Sequence, residues 1–126
     1  MKHLPNIAGA LLGLMFIFFA AIVLSGKAPA PEIPANTPPW HFFAAFGPTG
    51  YMVFIKVLEL IGGILTAIPK TRNFGLLILG PIIVNILAFH QFVAKDGIFQ
   101  PLLIGISALA LYLLWADRRK FLSLLH

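Results

Sequence analysis

The sequence predicts an all-α fold, an integral membrane four-helix bundle, from its composition and from the lengths of its apolar segments. Of its 126 residues, 60% are hydrophobic and only 10% carry a charge. Soluble domains carry about 25% charged residues, so this chain is too poor in charge to cover an aqueous surface. Four apolar runs are each long enough to cross a bilayer as a helix, for which about 17 residues is the lower limit. We therefore expect residues 1–126 to form a single transmembrane domain.

The four predicted helices cover residues 7–24, 51–68, 74–92 and 98–116. The first and the fourth contain no charged residue, whereas the second contains Lys56 and Glu59. The third contains Pro81, which lacks a backbone N–H and predicts a kink. Two links, residues 69–73 and 94–97, have the length that joins antiparallel neighbours in a bundle.

The remaining link is a long loop over residues 25–50, predicted to lie outside the cytoplasm. Its proline-rich stretch, residues 28–39, should be extended. The aromatic segment Trp40–Phe46 follows, and Thr37 with the two prolines after it is typical of a helix start. We expect a short interfacial helix in the headgroup layer. The alternative is a loop buried in an extracytoplasmic vestibule.

Basic residues predict the orientation in the cell inner (plasma) membrane, because loops rich in Lys and Arg stay in the cytoplasm. One side carries six of them: Lys2, Lys70, Arg72, Arg118, Arg119 and Lys120. The other side carries two, Lys27 and Lys95. A multi-pass protein with both termini cytoplasmic follows. The first apolar run is long for a signal-peptide core, and Ala28 is followed by proline, so we expect this run to be retained as a helix.

The strongest candidates for a binding site are charged or polar residues within the apolar runs, since such residues normally face a protein interior. Lys56 and Glu59 are three residues apart, on one helix face, at a spacing that permits an ion pair. Asn85 lies at a matching depth on the third helix and could bond the carboxylate, although a packing role suits it as well. His90 is closer to the outer surface, but about 140° around the helix from Asn85, so one groove holds both only if the helix is distorted. Alternatively, the ion pair only locks the bundle and His90 caps a loop carbonyl.

Two residues of the long loop, Trp40 and His41, are further candidates because that loop can reach the same mouth. The four histidines have no spacing typical of metal ligands, so no metal site is predicted. The chain has no cysteine, which excludes thiol–disulfide chemistry and Fe–S clusters. No phosphate-binding glycine motif and no basic stripe are present, so neither an intrinsic nucleotide cofactor nor nucleic acid is expected. Gly9 and Gly13 form a small-residue face that would serve either packing within the chain or a homodimer.

Three strings of the sequence carry a resemblance to a known family: Ile55–Leu65, Ile68–Arg72 and Gly80–His90. Together they resemble the DoxX-like family of small four-helix membrane proteins, over about residues 47–92. By that resemblance, the positions that recur in the family are Lys56, Glu59, Gly63, Pro81, Asn85 and His90. The family takes its name from a subunit linked to quinone-coupled sulfur oxidation, and other members resemble parts of membrane redox or assembly complexes. The resemblance thus implies a fold and a redox association.

These observations favour an outward-opening polar pocket that binds a quinone-like or other amphipathic ligand within a membrane redox-associated complex. Lys, Glu and His side chains could bond quinone oxygens and exchange the protons of quinone reduction. With no electron carrier of its own, the chain would be at most a subunit of a quinone-linked oxidoreductase and would need a partner subunit. The alternative is a non-catalytic assembly or chaperone subunit whose Lys–Glu pair is structural. A transporter or channel is a third hypothesis, for which four helices give little room.

Overall fold

A computed structural model of the chain describes residues 3–27 and 32–125. The described residues form helices without any strand, in the order α1 (Leu4–Leu24), α2 (Pro38–Phe46), α3 (Tyr51–Ala67), α4 (Arg72–Ala88), α5 (Pro101–Ala116) and α6 (Arg118–Leu122). Short 3-10 turns follow α2 at Gly47–Thr49 and α6 at Ser123–Leu125. A π-helical turn, Phe89–Val93, directly extends α4. The predicted all-α class is confirmed.

Two helices are long and apolar enough to cross a membrane, namely Leu4–Leu24 with 21 residues and Arg72–Val93 with 22. Up to four spans result if each of two bent helix pairs counts as one. In the first pair, Pro38–Thr49 lies at 85° to α3, and in the second α5 lies at 77° to Arg118–Leu125. The described part of the chain therefore contains two to four candidate spans.

Prolines account for most differences between the predicted and the observed helix bounds. The first helix begins at Leu4 rather than at residue 7, since Pro5 is accommodated in its first turn. The last long helix begins at Pro101 rather than at residue 98, because Gln100 before the proline is extended. Pro81 lies within α4 without ending it. Thr37 precedes α2, as predicted. The expected extended stretch falls partly outside the described residues, which omit 28–31.

The four long helices alternate in direction and share one apolar core. α1 packs against α3 and α5, and α4 packs against the same two helices. Leu12, Leu79 and Leu113 from three of these helices are fully buried at the centre. α1 and α3 approach each other closely, because the backbones of Gly13 and Gly63 touch without an intervening side chain.

The small-residue face of α1 is covered within the chain. The Arg72 guanidinium lies over Gly9 and donates hydrogen bonds to Asn6 Oδ1 at 3.1 Å and to the Thr66 carbonyl oxygen at 3.3 Å. Gly13 lies against α3. Of the two roles considered for this face, packing within the chain is therefore the one that the structure contains.

The two ends of the helical core differ in charge. The basic end contains the start of α1, the α3–α4 link and the end of α5. A hydrogen bond of 3.0 Å from Asn73 Nδ2 to Asp117 Oδ2 links the start of α4 to the end of α5 there. Its described basic residues are Lys70, Arg72, Arg118, Arg119 and Lys120. The α2 end contains α2, the π-helical turn and the loop 94–100, with Lys27 and Lys95. Both termini of the described chain belong to the basic end.

The contact between Gly13 and Gly63 generates a stability prediction. A Cβ at Gly13 would collide with the Gly63 carbonyl oxygen and lie 2.8 Å from Ala67 Cβ. Gly13→Ala should therefore destabilise the fold by about 1–3 kcal/mol, the range for overpacking a tight contact. Gly105→Ala on α5 is the matched control, because a Cβ there meets open space. Thermal unfolding in detergent should show a lower Tm for Gly13→Ala only; equal Tm values would contradict this packing.

Candidate functional site

A partly open cavity of about 570 Å³ lies at the α2 end, between α2, the first half of α3 and the last turns of α4. Its volume is within the range of small-molecule sites. Most of its lining is apolar or aromatic, and the polar exceptions on α3 and α4 are Lys56, Glu59, Asn85 and His90. The structure thus brings four of the six predicted site residues to one cavity.

The Lys56–Glu59 ion pair forms the charged part of the cavity wall. Lys56 Nζ lies 2.9 Å from Glu59 Oε2, the contact that their spacing on α3 permits. The Glu59 side chain is only 6% exposed and that of Lys56 is 22% exposed. The lysine is therefore the member of the pair that a bound molecule can reach. An ammonium has three N–H donors, and Glu59 uses one of them, so Lys56 retains donors for a ligand oxygen.

Asn85 does not bond Glu59, which corrects the expected contact between these two side chains. Its Nδ2 donates instead to the carbonyl oxygen of Pro81, one turn earlier on α4, at 2.8 Å. A side chain on a helix reaches the carbonyl four residues before it more easily than a neighbouring helix. The carboxylate of Glu59 is already paired with Lys56. Asn85 lines the cavity through its position on α4 rather than through that carboxylate.

A helix distortion is present where His90 lies, in the π-helical turn Phe89–Val93, and Asn85 and His90 both border the cavity. Within it, the backbone N–H of Ala94 donates to the Phe89 carbonyl oxygen at 2.9 Å, across five residues rather than four. The wider turn changes the angular position of the residues that it contains. An undistorted helix would separate these two side chains by about 140°. Turns of this kind occur frequently at functional sites.

His90 is held by a carboxylate from the following loop. Its Nδ1 lies 2.8 Å from Asp96 Oδ1, and Gln100 Nε2 lies 3.4 Å from the same nitrogen. Two residues with left-handed backbone, Lys95 with φ 57° and Gly97 with φ 88°, flank Asp96 and turn the chain back toward His90. The hydrogen bond from His90 lowers the pKa of Asp96 below its ordinary value, so this carboxylate stays ionised at neutral pH.

Aromatic rings close the cavity on the side of α2. Phe42 and Phe43 both line it, and their ring centroids lie 5.1 and 5.8 Å from that of Phe89 on the π-helical turn. Phe46 continues the cluster to Tyr51 at 4.9 Å. These aromatic contacts pack α2 against the π-helical turn and against the start of α3.

The two remaining candidates, Trp40 and His41, do not line the cavity. Both are exposed on α2, where their rings stack edge to face with centroids 5.1 Å apart. They precede the inward-facing Phe42 and Phe43 by two residues, about 200° around the helix, and so lie on the opposite face of α2. The predicted aromatic cover is therefore present in α2, but its contact residues are Phe42 and Phe43.

Sequence reasoning missed Phe89, Asp96 and Gln100. Phe89 had no signal, since an apolar residue in an apolar run is indistinguishable from a lipid-facing one. Asp96 had a weak signal, because it is a carboxylate in the short loop that follows a helix with a histidine in its last turn. No group of three or more His, Cys, Asp or Glu side chains suited to a metal ion occurs among residues 3–27 and 32–125.

Comparison with known proteins gives one informative relative. A Bacillus subtilis (strain 168) protein named Uncharacterized protein YwoB is 34% identical over 116 residues, which cover 86% of this chain and 73% of that protein. No family model matches the chain, and no solved structure matches it. The name of this relative states no activity, so the comparison shows kinship and assigns no chemistry to the chain. At this identity and coverage, the chain belongs to the same family as YwoB.

Proposed function

We propose that this chain is a four-helix integral membrane protein whose cavity binds an amphipathic ligand with a quinone-like head group. The observation that carries the proposal is the cavity itself. It combines one accessible ammonium, Lys56, and one imidazole, His90, with walls that are otherwise largely apolar and aromatic. Small-molecule sites have this composition, in which a few polar groups orient a ligand that is held mainly by apolar contact.

The membrane part of the proposal is supported by the surface of the long helices. Large apolar side chains are exposed on α1, α3, α4 and α5 alike; Phe18, Ile61, Phe74 and Leu111 are examples. Soluble monomers do not expose continuous apolar surfaces of this extent. α3 and α5 have 17 and 16 residues, close to the lower limit for a span, and each is continued by a bent segment. We infer four spans, with α2 and α6 lying at the two membrane surfaces.

The proposed orientation follows from the charges of the two ends. The basic end, with Lys70, Arg118 and Lys120 among its residues, would face the cytoplasm of a cell inner membrane. The cavity at the α2 end would then open toward the outer leaflet. A lipid-soluble molecule could reach it from the bilayer, with α2 over its mouth.

The quinone-like head group is proposed from matching chemistry and from the DoxX-like resemblance of residues 47–92. A flat ring with oxygens on opposite sides suits a cavity with aromatic walls and two separated polar groups. In this proposal no electron carrier is assigned to the chain itself. Redox turnover would therefore need a partner subunit, and the chain would serve as a ligand-binding subunit of a redox-associated complex.

A second function is favoured by one observation, the neutralisation of Lys56 by Glu59 at 2.9 Å within α3 itself. A pair that is satisfied within α3 needs no ligand. The chain would then be a non-catalytic assembly or chaperone subunit. The two proposals differ in whether the cavity has an occupant, so ligand binding separates them.

The orientation can be checked by cysteine labelling, because the chain contains no natural cysteine. Ala35→Cys, in the loop before α2, should react with a membrane-impermeant maleimide in intact cells. Ser123→Cys, beyond α6, should react only after permeabilisation. Labelling of Ser123→Cys alone in intact cells would contradict the proposed orientation.

The ion pair can be tested by removing one partner and then both. Lys56→Met leaves the shielded Glu59 without its counter-charge and should cost about 3 kcal/mol, the low end for breaking a buried pair, since Lys56 is 22% exposed. Lys56→Met combined with Glu59→Gln removes both charges and should recover part of the loss. Tm values in detergent give the comparison. A single variant that melts like the parent would show that the pair does not stabilise the fold.

Ligand binding can be tested with the oxidised and the reduced form of a short-chain quinone, decylubiquinone and decylubiquinol, each added to the protein in detergent. His90→Phe keeps a ring of similar bulk but removes both ring nitrogens, so binding of the form that bonds the imidazole should weaken by about 1–3 kcal/mol, roughly a factor of 5 to 150. His3→Phe is the control, because His3 lies at the basic end. Fluorescence quenching of the chain's two tryptophans provides the readout. Absence of binding to the parent would favour the assembly role.

A further inference from the structure

We infer that Asp96 fixes the protonation of His90 so that the cavity prefers the hydroxyl-bearing, reduced form of its ligand. This inference rests on the proposed function and narrows it from a quinone-like head group to one oxidation state. Asp96 is a positioning residue in this account, since it acts through the imidazole.

The imidazole of His90 connects two environments. Its side chain is 25% exposed and borders the cavity, whereas the side chain of Asp96 is 50% exposed in the loop 94–100. The contact of 2.8 Å between Nδ1 and Oδ1 requires a proton on Nδ1, because an ionised carboxylate only accepts. The lowered pKa of Asp96 keeps that carboxylate ionised throughout the range in which histidines titrate.

A proton held on Nδ1 decides what the other ring nitrogen offers. A neutral imidazole has one donor and one acceptor nitrogen, so neutral His90 has a lone pair at Nε2. Nε2 has no hydrogen-bond partner within the described part of the chain. A ligand hydroxyl can donate to it, whereas a quinone carbonyl cannot.

The cavity wall formed by α3 has the complementary character. Lys56 donates and does not accept, so it suits an ether, carbonyl or hydroxyl oxygen. A hydroquinone satisfies both walls at once, since its hydroxyl groups donate to His90 and accept from Lys56. A quinone satisfies Lys56 alone as long as His90 is neutral. Protonation of His90 places a donor at Nε2 and removes this discrimination.

Other charged groups lie near enough to be considered in a pH titration. Tyr51, Lys56 and Glu59 line the same cavity from α3, and Lys95 precedes Asp96 in the loop. Among the titratable side chains of the described residues, Asp96 forms a hydrogen bond with His90, whereas Tyr51, Lys56, Glu59 and Lys95 do not. The neighbouring Gln100, whose Nε2 also donates to the Gly97 carbonyl oxygen at 3.0 Å, is in place to donate to Nδ1 if the charge of Asp96 is removed.

The test compares decylubiquinol and decylubiquinone binding under anaerobic conditions at pH 5.5 and pH 8. In the parent, the ratio of quinol to quinone affinity should rise about 5-fold to 10-fold between these pH values, as expected for one hydrogen bond gained. Asp96→Asn removes the charge that holds the Nδ1 proton, so the ratio should change by less than about 2-fold. Lys95→Gln is the matched control, since it removes a charge from the same loop and should behave like the parent.

A second measurement reads the tautomer without a ligand. Nitrogen-15 NMR of histidine-labelled protein, with His90→Gln to assign the signal, should show the proton on Nδ1 at pH 8 in the parent. Asp96→Asn should move His90 toward the Nε2–H form. An Nε2–H tautomer in the parent, or an affinity ratio equally pH-dependent in Asp96→Asn, would overturn the inference while leaving the proposed function standing. Failure of both compounds to bind the parent would overturn both.

Discussion

Two opposite charges in the second and third turns of α3 are tolerated in an apolar bundle because they neutralise each other at 2.9 Å. A lone charge within a bilayer costs about 2.5–3.5 kcal/mol on insertion scales. The attraction between the two charges offsets part of this cost. Their spacing of three residues puts both side chains on one face of α3. That face borders the cavity, with α4 and α2 completing its walls. The ion pair therefore supplies the charged groups of an otherwise largely apolar cavity.

The glycine contacts hold the same face of α3 about one turn further along the helix, since Gly62 and Gly63 follow Glu59 by three and four residues. Gly63 allows α1 to touch the α3 backbone, and Gly62 lies against Leu79 of α4. With two neighbours held this close, α3 cannot rotate its charged pair away from the cavity without losing both contacts. Packing at Gly62 and Gly63 thus fixes the direction in which Lys56 and Glu59 point.

Much of this architecture could be predicted from the sequence. The long apolar runs predict the long helices, the short links predict antiparallel neighbours, and the three-residue spacing of Lys56 and Glu59 predicts their ion pair. Helix bounds shifted by a few residues where Pro5 and Pro101 take positions inside the first turns. The π-helical turn could not be predicted, because its residues, Phe89–Val93, have no composition that differs from an ordinary helix end. The hydrogen bond between His90 and Asp96 depends on that turn and on the left-handed backbone of residues 95 and 97, so it could not be predicted either.

The central claim is that the cavity at the α2 end is the place where a quinone-like molecule binds. Photolabelling with an azido-benzoquinone that carries a decyl chain, followed by peptide mass spectrometry, tests it most directly. The account predicts labels on residues 42–59 and 82–93, removed by an excess of decylubiquinone. Labels spread over the exposed apolar faces, at residues such as Phe18 and Leu111, and unaffected by that excess, would contradict it.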